Sequence, residues 1–297
     1  MSSNLKVLQV IPKLGYGGAE TGCYDIAHYL PENECESYIV TSGGELLKFI
    51  DKKKVKIIKL PVHSKNPLII FINFLALICV IMINNISNPE VSVLPAGSGS
   101  DFIRTFAIPQ NIEDAITHLR TENYYEIDIG LVKNQNSEKY FVNVLNIGFL
   151  ADSVETSEKL PKIFKKFRYP ISFWLKIIFA SATETYVDTD RGEFNGDTFN
   201  ISVCNAQYFG GGWNISPKSS LQDGLFNVQI FAVTKFKAMK IFFLAKRGLH
   251  LREPNIFVKK TSNIKLLTKQ AIEIDGDYFG NGPAEIFIKK RAIRFKI

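Results

Sequence analysis

The spacing of apolar runs along this chain changes about a third of the way from its first residue. Before residue 87 the apolar runs alternate with a helical pattern. The segment 5–11 (LKVLQVI) is a mostly apolar strand, Ala19–Leu30 has helical periodicity and stops before Pro31, and strands follow at 37–42 and 55–62. Strand, helix and strand in this order indicate an α/β segment, part of a doubly wound parallel sheet.

After residue 87 the apolar runs become short, and turn residues separate them. The pattern predicts helices at 114–119 and 159–179, and strands at 127–132, 140–147, 199–204, 226–231, 264–268, 272–275 and 284–288. So many short strands favour a mainly antiparallel, β-sandwich-like domain. The expected domains are therefore 1–86 and 87–297, and the β-rich part of the second covers 125–297.

The charge balance limits the partners. A formal net charge of +7 and an isoelectric point near 9.0 favour anionic partners such as nucleotide phosphates or an anionic membrane face. The chain has no arginine-rich tract and no RNA-binding aromatic signature, so we expect no nucleic-acid partner. Its four cysteines form no C-x-x-C pair and its four histidines are isolated, which indicates reduced thiols, a cytoplasmic location and no zinc site.

One apolar segment bears on membrane association. Residues 68–83 are apolar except for Asn73. A membrane-spanning helix needs about 20 such residues, so this segment predicts a buried or membrane-lying helix instead.

A glycine-rich loop, LPAGSGSDF, lies between a predicted strand and a predicted helix. Gly97 and Gly99 allow a tight turn and a close approach of backbone N–H groups to an anion, and Ser98 adds a hydroxyl. The helix that follows adds a favourable dipole for phosphate. The loop, over 94–104, is a candidate phosphate-binding loop, although a plain strand-to-helix turn has the same pattern.

Two later segments place carboxylates in turns. A glycine cluster in YFGGGW precedes Asp223-Gly224-Leu225-Phe226 at the start of a strand, and IEIDGDYFG places Asp275 and Asp277 between two strands. A carboxylate in such a turn can act as a general base toward a hydroxyl. Asp-Gly and Gly-Asp are also ordinary hairpin-turn residues.

Taken together and in this order, the glycine-rich loop, FVNVLNIGF, DGLF and IDGD resemble motifs of the diacylglycerol kinase catalytic family, which includes bacterial lipid kinases and the sphingosine kinases. The resemblance covers about 90–297. It implies an ATP-dependent kinase that phosphorylates a lipid hydroxyl, such as that of diacylglycerol, at the inner face of a membrane to which the protein binds peripherally.

The resemblance also implies roles for individual residues. The nucleotide phosphates would contact Gly97, Ser98 and Gly99, and Asp101 would anchor that loop. A structural Mg²⁺ would bind the Asp223 side chain. The ligand set would be completed by backbone carbonyls, those of Ser220 and Leu225. Asp277 stands where the family has the glutamate that accepts the proton of the lipid hydroxyl.

This chain departs from the family pattern. Ser98 replaces a threonine, Ser100 replaces an asparagine, and Asp277 is one methylene shorter than glutamate, which changes its reach by about 1 Å. The N-P-x-S-G and G-G-D-G-T motifs, which hold ATP and Mg²⁺ in the family, are not found. About 85 residues at the start of the chain, including Gly17-Gly18-Ala19-Glu20, instead resemble the opening of retaining two-domain nucleotide-sugar glycosyltransferases. Three hypotheses follow: a lipid kinase, a catalytically dead lipid-binding module, or a glycosyltransferase remnant.

Overall fold

The computed structural model describes residues 5–16, 18–63, 67–84, 92–93, 101–109, 111–119 and 123–296. The chain forms two compact units. The first comprises Met1–Ser98, Pro109–Asn123 and Lys296–Ile297, and the second comprises Gly99–Ile108 and Tyr124–Phe295.

The first unit contains the predicted parallel sheet. Its strands β1 (Leu5–Ile11), β2 (Cys35–Thr41) and β3 (Val55–Lys59) lie in the order β1-β2-β3. Helix α1 (Gly18–Glu32) connects β1 to β2, and a 3₁₀ turn covers Glu45–Phe49. This confirms the α/β prediction, with two differences: Pro31 lies within the last turn of α1, and β1 is only partly buried.

The apolar segment 68–83 forms helix α2 (Pro67–Ile83). The first unit also contains helix α4 (Ile112–Leu119). Asn73, the polar residue of α2, is buried and donates its Nδ2 hydrogen to the Pro61 carbonyl at 3.0 Å. Apolar Ile72 and Met82 are exposed. Over the part of the chain that the structure describes, no helix is both long and apolar enough to cross a membrane.

The second unit is a sandwich of two six-stranded antiparallel sheets. The strands are β4 (Tyr124–Lys133), β5 (Glu138–Phe141), β6 (Val144–Gly148), β7 (Thr183–Thr189), β8 (Gly192–Thr198), β9 (Asn200–Cys204), β10 (Phe226–Phe231), β11 (Ile256–Thr261), β12 (Asn263–Leu267), β13 (Ala271–Ile274), β14 (Asp277–Asn281) and β15 (Ala284–Lys296). The front sheet has the order β5-β4-β15-β12-β7-β8 and the back sheet the order β11-β10-β9-β6-β13-β14.

Alternation along the strands builds the core between the sheets. Leu145 and Ile147 of β6 and Ile201 and Val203 of β9 point toward the front sheet and join one buried cluster with residues such as Leu266. The intervening residues of these strands point to the opposite face of the back sheet, because side chains alternate along a strand. The predicted β-sandwich-like domain is therefore confirmed.

Helices cover that opposite face of the back sheet. They are α5 (Phe149–Lys159), α6 (Arg168–Phe179) and α7 (Lys235–Ala245), with 3₁₀ turns at Lys162–Phe167 and Leu249–Arg252; the short α3 (Asp101–Thr105) also belongs to this unit. Phe149, Phe173 and Phe242 form much of the apolar layer between helices and sheet. This layer lines a partly open cavity of about 60 Å³.

Two of the predicted segments are divided in the structure. The strand predicted at 140–147 is two strands, β5 in the front sheet and β6 in the back sheet. The chain crosses between the sheets there because the N–H groups of Val142 and Asn143 bond to the Asp275 carboxylate instead of to a neighbouring strand. The helix predicted at 159–179 is interrupted at Pro161, where α5 has ended and a 3₁₀ turn begins.

Candidate functional site

The first motif, the end of the glycine-rich loop, is tied to the glycine cluster. The Asp101 carboxylate, at the start of α3, accepts hydrogen bonds from the backbone N–H of Gly211 at 2.9 Å and of Gly212 at 2.5 Å. Two motifs that lie 110 residues apart in the sequence are thereby joined. Gly97, Ser98 and Gly99 lie outside the described residues, so their phosphate contacts remain a prediction.

The glycine cluster has a backbone that only glycine adopts easily. Gly210, Gly211 and Gly212 have φ values of 62°, 88° and 101°, in the left-handed region that side chains disfavour. Phe209 and Trp213 close the loop by exchanging two backbone hydrogen bonds of 3.0 and 3.1 Å. Three consecutive left-handed residues turn the N–H groups of Gly211 and Gly212 toward one carboxylate.

We expect the Asp101→Ala variant to lose about 1–3 kcal/mol in its free energy of unfolding, because two charge-assisted hydrogen bonds to backbone N–H groups disappear. Urea denaturation measures the loss, and amide hydrogen exchange at Gly211 and Gly212 should become faster. Exposed Asp197 of β8 provides the control. An Asp197→Ala variant that loses as much stability as Asp101→Ala would contradict the expectation.

The second motif, the Asp223-Gly224 turn, is held by a buried carboxylate that the sequence analysis missed. Asp128 of β4 is 1% exposed and accepts the N–H of Gly224 at 2.7 Å and the N–H of Arg291 at 2.8 Å. Its own N–H donates to the Leu221 carbonyl at 2.6 Å. The available signal was an aspartate inside an apolar run, EIDIGLV, where a buried strand rarely places a charge.

Asp223 itself is neutralised by a lysine. Its Oδ2 lies 2.9 Å from the Lys260 ammonium, and its Oδ1 accepts the Leu225 N–H at 3.1 Å. Among the described residues, no three His, Cys, Asp or Glu side chains gather to form a metal site. An ammonium group thus occupies one side of the carboxylate at which a cation would bind, and the Mg²⁺ ligand set of Ser220, Asp223 and Leu225 remains a prediction.

The third motif, IDGD, forms the turn between β13 and β14, as predicted. Asp275, with φ of 49°, accepts hydrogen bonds from the N–H groups of Val142, Asn143 and Val144 at 2.8–3.0 Å. Desolvation of its carboxylate raises the pKa of Asp275, and the three N–H donors oppose that rise. Asp275 therefore holds the turn against the β5–β6 crossing.

The two other carboxylates of this hairpin have opposite environments. Asp277 has a side chain that is 73% exposed, and it pairs with Lys139 at 3.0 Å. Glu273 is 5% exposed, and burial raises its pKa to about 7. Glu273 was not among the predicted site residues, although a carboxylate between two isoleucines in a buried strand is a recognisable signal.

A single segment, residues 205–224, connects the three motifs. Asn205 donates its two Nδ2 hydrogens to the carbonyls of Asp128 and Val142, both at 2.9 Å, and so links the second motif to the third. The Gln207 carbonyl accepts the Ser216 N–H, and the Gln207 side-chain Nε2 donates to the Ser219 carbonyl at 3.1 Å. These two bonds fold the glycine cluster back toward the Asp223 turn. The carboxylates themselves have separate partners: the glycine cluster for Asp101, Lys260 for Asp223, and Lys139 for Asp277.

This arrangement suits binding and proton transfer at a surface. Asp277 is accessible to a solute, so its carboxylate can accept a proton from a hydroxyl, and the neighbouring Lys139 can attract an anion. Asp275 and Asp101 are engaged by backbone N–H groups and act as parts of the framework.

Comparison with known proteins agrees with this architecture. A family model described as the YegS C-terminal NAD kinase beta sandwich-like domain matches residues 143–296, and one described as the diacylglycerol kinase catalytic domain matches residues 75–132. The first match alone covers more than half of the chain. The chain therefore belongs to the diacylglycerol-kinase-like family that carries this C-terminal domain.

Individual relatives bear the same description. A diacylglycerol kinase of Staphylococcus haemolyticus (strain JCSC1435) is 27% identical over 211 residues, which are 70% of this chain and 63% of that protein. One of Staphylococcus aureus (strain bovine RF122 / ET3-1) is 28% identical over 211 residues, 70% of this chain and 66% of that protein. The matched region thus spans less than two thirds of the length of these relatives.

Solved structures show the same fold. The crystal structure of a "putative diacylglycerol kinase" from Bacillus anthracis str. Sterne has a TM-score of 0.61 and 19% identity, covering 99% of this chain and 95% of that one. A diacylglycerol kinase structure from the same organism has a TM-score of 0.55 and 14% identity, covering 100% of this chain and 97% of that one. The glycosyltransferase resemblance of the first 85 residues remains a prediction.

Proposed function

We propose that this chain is an ATP-dependent lipid kinase that phosphorylates the hydroxyl of diacylglycerol or a similar lipid. The observation that supports the proposal is the joining of three motif turns into one hydrogen-bonded framework through residues 205–224. Turns without a common function would not be expected to be linked by hydrogen bonds in this way. Family membership supplies the reaction class.

In the proposed reaction, the lipid hydroxyl oxygen attacks the γ-phosphorus of ATP and the bond from that phosphorus to the ADP oxygen breaks. Asp277 accepts the hydroxyl proton. The neighbouring Lys139 ammonium offsets the negative charge of the phosphate that is transferred. Asp275 keeps the turn rigid through its three N–H donors. Gly97, Ser98 and Gly99 would hold the nucleotide phosphates, with Asp101 anchoring the end of their loop. Phosphoryl transfer needs mainly this alignment and charge neutralisation.

Mg²⁺ would accompany ATP and neutralise its phosphate charge. Because Lys260 already pairs with Asp223, the proposed reaction uses no metal ion at Asp223. An assay of ATP consumption with diacylglycerol in mixed micelles, with and without Mg²⁺, tests the proposed activity.

The sharper test replaces Asp277. We expect Asp277→Asn to lower turnover at least about a hundredfold, because general-base catalysis contributes that much and more. Diacylglycerol binding should be unchanged, since the side chain keeps its shape. Glu285→Gln, which alters an exposed carboxylate on β15, is the matched control and should keep full turnover. Equal rates for Asp277→Asn and wild type would reject Asp277 as the base.

A lipid substrate requires a surface that meets the membrane, and we propose the α6–α7 surface. It consists of exposed apolar side chains on the 3₁₀ turn before α6, on α6 and on α7: Ile163, Phe164, Phe167, Trp174, Ile178, Phe179, Phe236 and Phe243. Phe179 is 85% exposed and Ile163 is 81% exposed. Contact between such large apolar side chains and water is unfavourable, so a group of them indicates a surface that binds a partner. Lys235 joins the two helices by donating to the Ile178 carbonyl at 3.0 Å.

Basic residues accompany this surface. Lys176 lies on α6, and Lys235, Lys237 and Lys240 lie on α7. Apolar side chains next to lysines are typical of proteins that bind peripherally to anionic lipid, such as the cytoplasmic face of a membrane. The cavity under the helices is lined mainly by apolar groups, which favour apolar atoms over water.

We expect the double variant Ile163→Ser/Phe179→Ser to reduce partitioning to vesicles of phosphatidylglycerol and phosphatidylcholine by about a hundredfold, since two large apolar side chains no longer insert. Sedimentation with the vesicles measures it, and added salt should weaken wild-type binding as lysine contacts are screened. Tyr140→Ser removes a ring that is 54% exposed on β5 and is the control. Unreduced binding by the double variant would refute the α6–α7 surface.

A catalytically dead lipid-binding module is the second candidate. It is favoured by the α6–α7 surface, which needs no ATP, together with the missing N-P-x-S-G and G-G-D-G-T motifs. Vesicle binding without ATP consumption would select this module over the kinase.

A further inference from the structure

Glu273 is a buried carboxylate to which the proposed reaction gives no role. It lies on the helix-covered face of β13, directly opposite Asn146 of β6 in the antiparallel register. Its Oε1 accepts the backbone N–H of Gly276, the middle residue of the Asp275-Gly276-Asp277 turn. Its Oε2 accepts the Asn146 Nδ2 hydrogen at 2.8 Å.

Hydrogen bonds continue from Glu273 across the back sheet. The Asn146 Oδ1 accepts the Ser202 hydroxyl at 2.6 Å, and the Ser202 Oγ accepts the Asn200 Nδ2 hydrogen at 3.1 Å. The Asn200 Oδ1 accepts the N–H of Leu150, in the first turn of α5, at 3.0 Å. This series of hydrogen bonds through Asn146, Ser202 and Asn200, here called the buried ladder, thus runs from the start of α5 to the Asp275–Asp277 turn.

Every donor in this ladder points the same way. Each group donates toward Glu273 and accepts from the side of α5, so the chain of dipoles ends on the carboxylate. Aligned hydrogen bonds polarise one another, and the low dielectric of the interior strengthens them. A carboxylate has two accepting oxygens, whereas an amide at the same position would place one NH₂ group against a donor, either Gly276 or Asn146.

We propose that Glu273 is a positioning residue for Asp277: with its ladder it sets the conformation of the Asp275-Gly276-Asp277 turn through the Gly276 N–H. This inference rests on the proposed function for its catalytic consequence, but its structural claim does not. Asp275 holds the near side of the turn by its bonds to residues 142–144, and Glu273 holds the peptide between the two aspartates. Without that bond, the direction of the exposed Asp277 depends on its pair with Lys139 and on its register opposite Ile274.

The charge on Glu273 depends on the groups that surround it. Burial raises its pKa, the hydrogen bonds from Asn146 and Gly276 oppose that rise, and Asp275 and Asp277 in the turn add to it. Burial also raises the pKa of Tyr169 on α6, and Glu273 adds to that rise. On α5, which packs against β13 and β14, burial raises the pKa of Asp152; Lys176 of α6 opposes that rise and Glu155 adds to it. Glu273 is therefore a buried acid with a raised pKa that is surrounded by further acidic groups and bonded to the turn.

The test uses the whole chain and measures the amide NMR signal and the hydrogen exchange of Gly276. In wild type, the amide signal of Gly276 should shift with pH with a midpoint near 7, as the Glu273 carboxylate gains its proton. In Glu273→Gln this titration should vanish, and hydrogen exchange at Gly276 should become at least tenfold faster. Glu285→Gln should keep both properties. Unchanged exchange and an unchanged titration at Gly276 in Glu273→Gln would overturn the proposal.

Kinetics separate positioning from folding. Glu273→Gln should lower kcat about tenfold or more with KM for diacylglycerol unchanged, and should remove the step near pH 7 from the rate profile. Glu273→Asp keeps the charge and should recover part of the rate. A loss confined to KM, or a rate profile that keeps its step, would also overturn the proposal. If wild type consumes no ATP, the proposed kinase fails, yet the Gly276 measurements still decide the positioning claim.

Discussion

Replacing Asp128 with alanine is expected to lower the free energy of unfolding by about 3–5 kcal/mol. The carboxylate is buried and accepts backbone N–H groups from Gly224 and Arg291. Alanine would leave both donors without a partner in the interior, at a cost of about 1–3 kcal/mol each, and would add a cavity. Urea denaturation followed by circular dichroism measures the change in midpoint.

Two variants make the Asp128 prediction specific. Asp128→Asn keeps one accepting oxygen, so it should lose roughly half as much stability as Asp128→Ala. Asp197→Ala removes an exposed carboxylate of β8 and should change stability by less than about 0.5 kcal/mol. If Asp128→Ala proved no less stable than Asp197→Ala, Asp128 would not be the anchor of the Asp223-Gly224 turn.

The second large effect is a pair of opposing pH dependences. Burial raises the pKa of Glu273 from 4.5 to about 7 and lowers the pKa of His250 from 6.5 to about 4. A raised acid pKa contributes stability that is complete below the unfolded pKa and is lost as pH rises through the folded one. A lowered histidine pKa contributes stability that is complete above the unfolded pKa and is lost as pH falls through the folded one.

Between pH 8 and pH 4.5 these two contributions should largely cancel in wild type, each being about 3 kcal/mol at about 1.4 kcal/mol per pH unit. On this acidification, Glu273→Gln should lose about 3 kcal/mol more than wild type, and His250→Gln about 3 kcal/mol less. Urea titrations at the two pH values measure the differences. Parallel pH dependence in all three proteins would contradict both pKa shifts.

Many helices and strands could be predicted from the local pattern of apolar and polar residues. The apolar run of β1, the helical periodicity of α1 and the strand at Phe226–Phe231 followed from spacing and composition, because each depends on neighbours in sequence. The strand predicted at 140–147 was wrong as a single element, since its break is imposed by Asp275, more than 130 residues away. Helix α7 was not predicted.

The candidate site divides in the same way. The motif turns at Asp101, Asp223 and Asp275–Asp277 stood out in the sequence because glycine and aspartate have strong local preferences in turns. Asp128 and Glu273 did not stand out, because a carboxylate in a strand has a role only when its partners are known. Their partners come from the turn before β10, from β15 and β6, and from the turn after β13.

The sequence by itself determined the fold class, the family resemblance and the positions of the turns, all of which rest on short-range periodicity and residue type. Only the tertiary structure decided that the 205–224 segment connects those turns, that Lys260 pairs with Asp223, and that a series of buried hydrogen bonds ends on Glu273. The physical reason is that hydrogen bonds and burial depend on distances between residues far apart in the chain. Those distances exist only once the two sheets have packed and the helices have covered one of them.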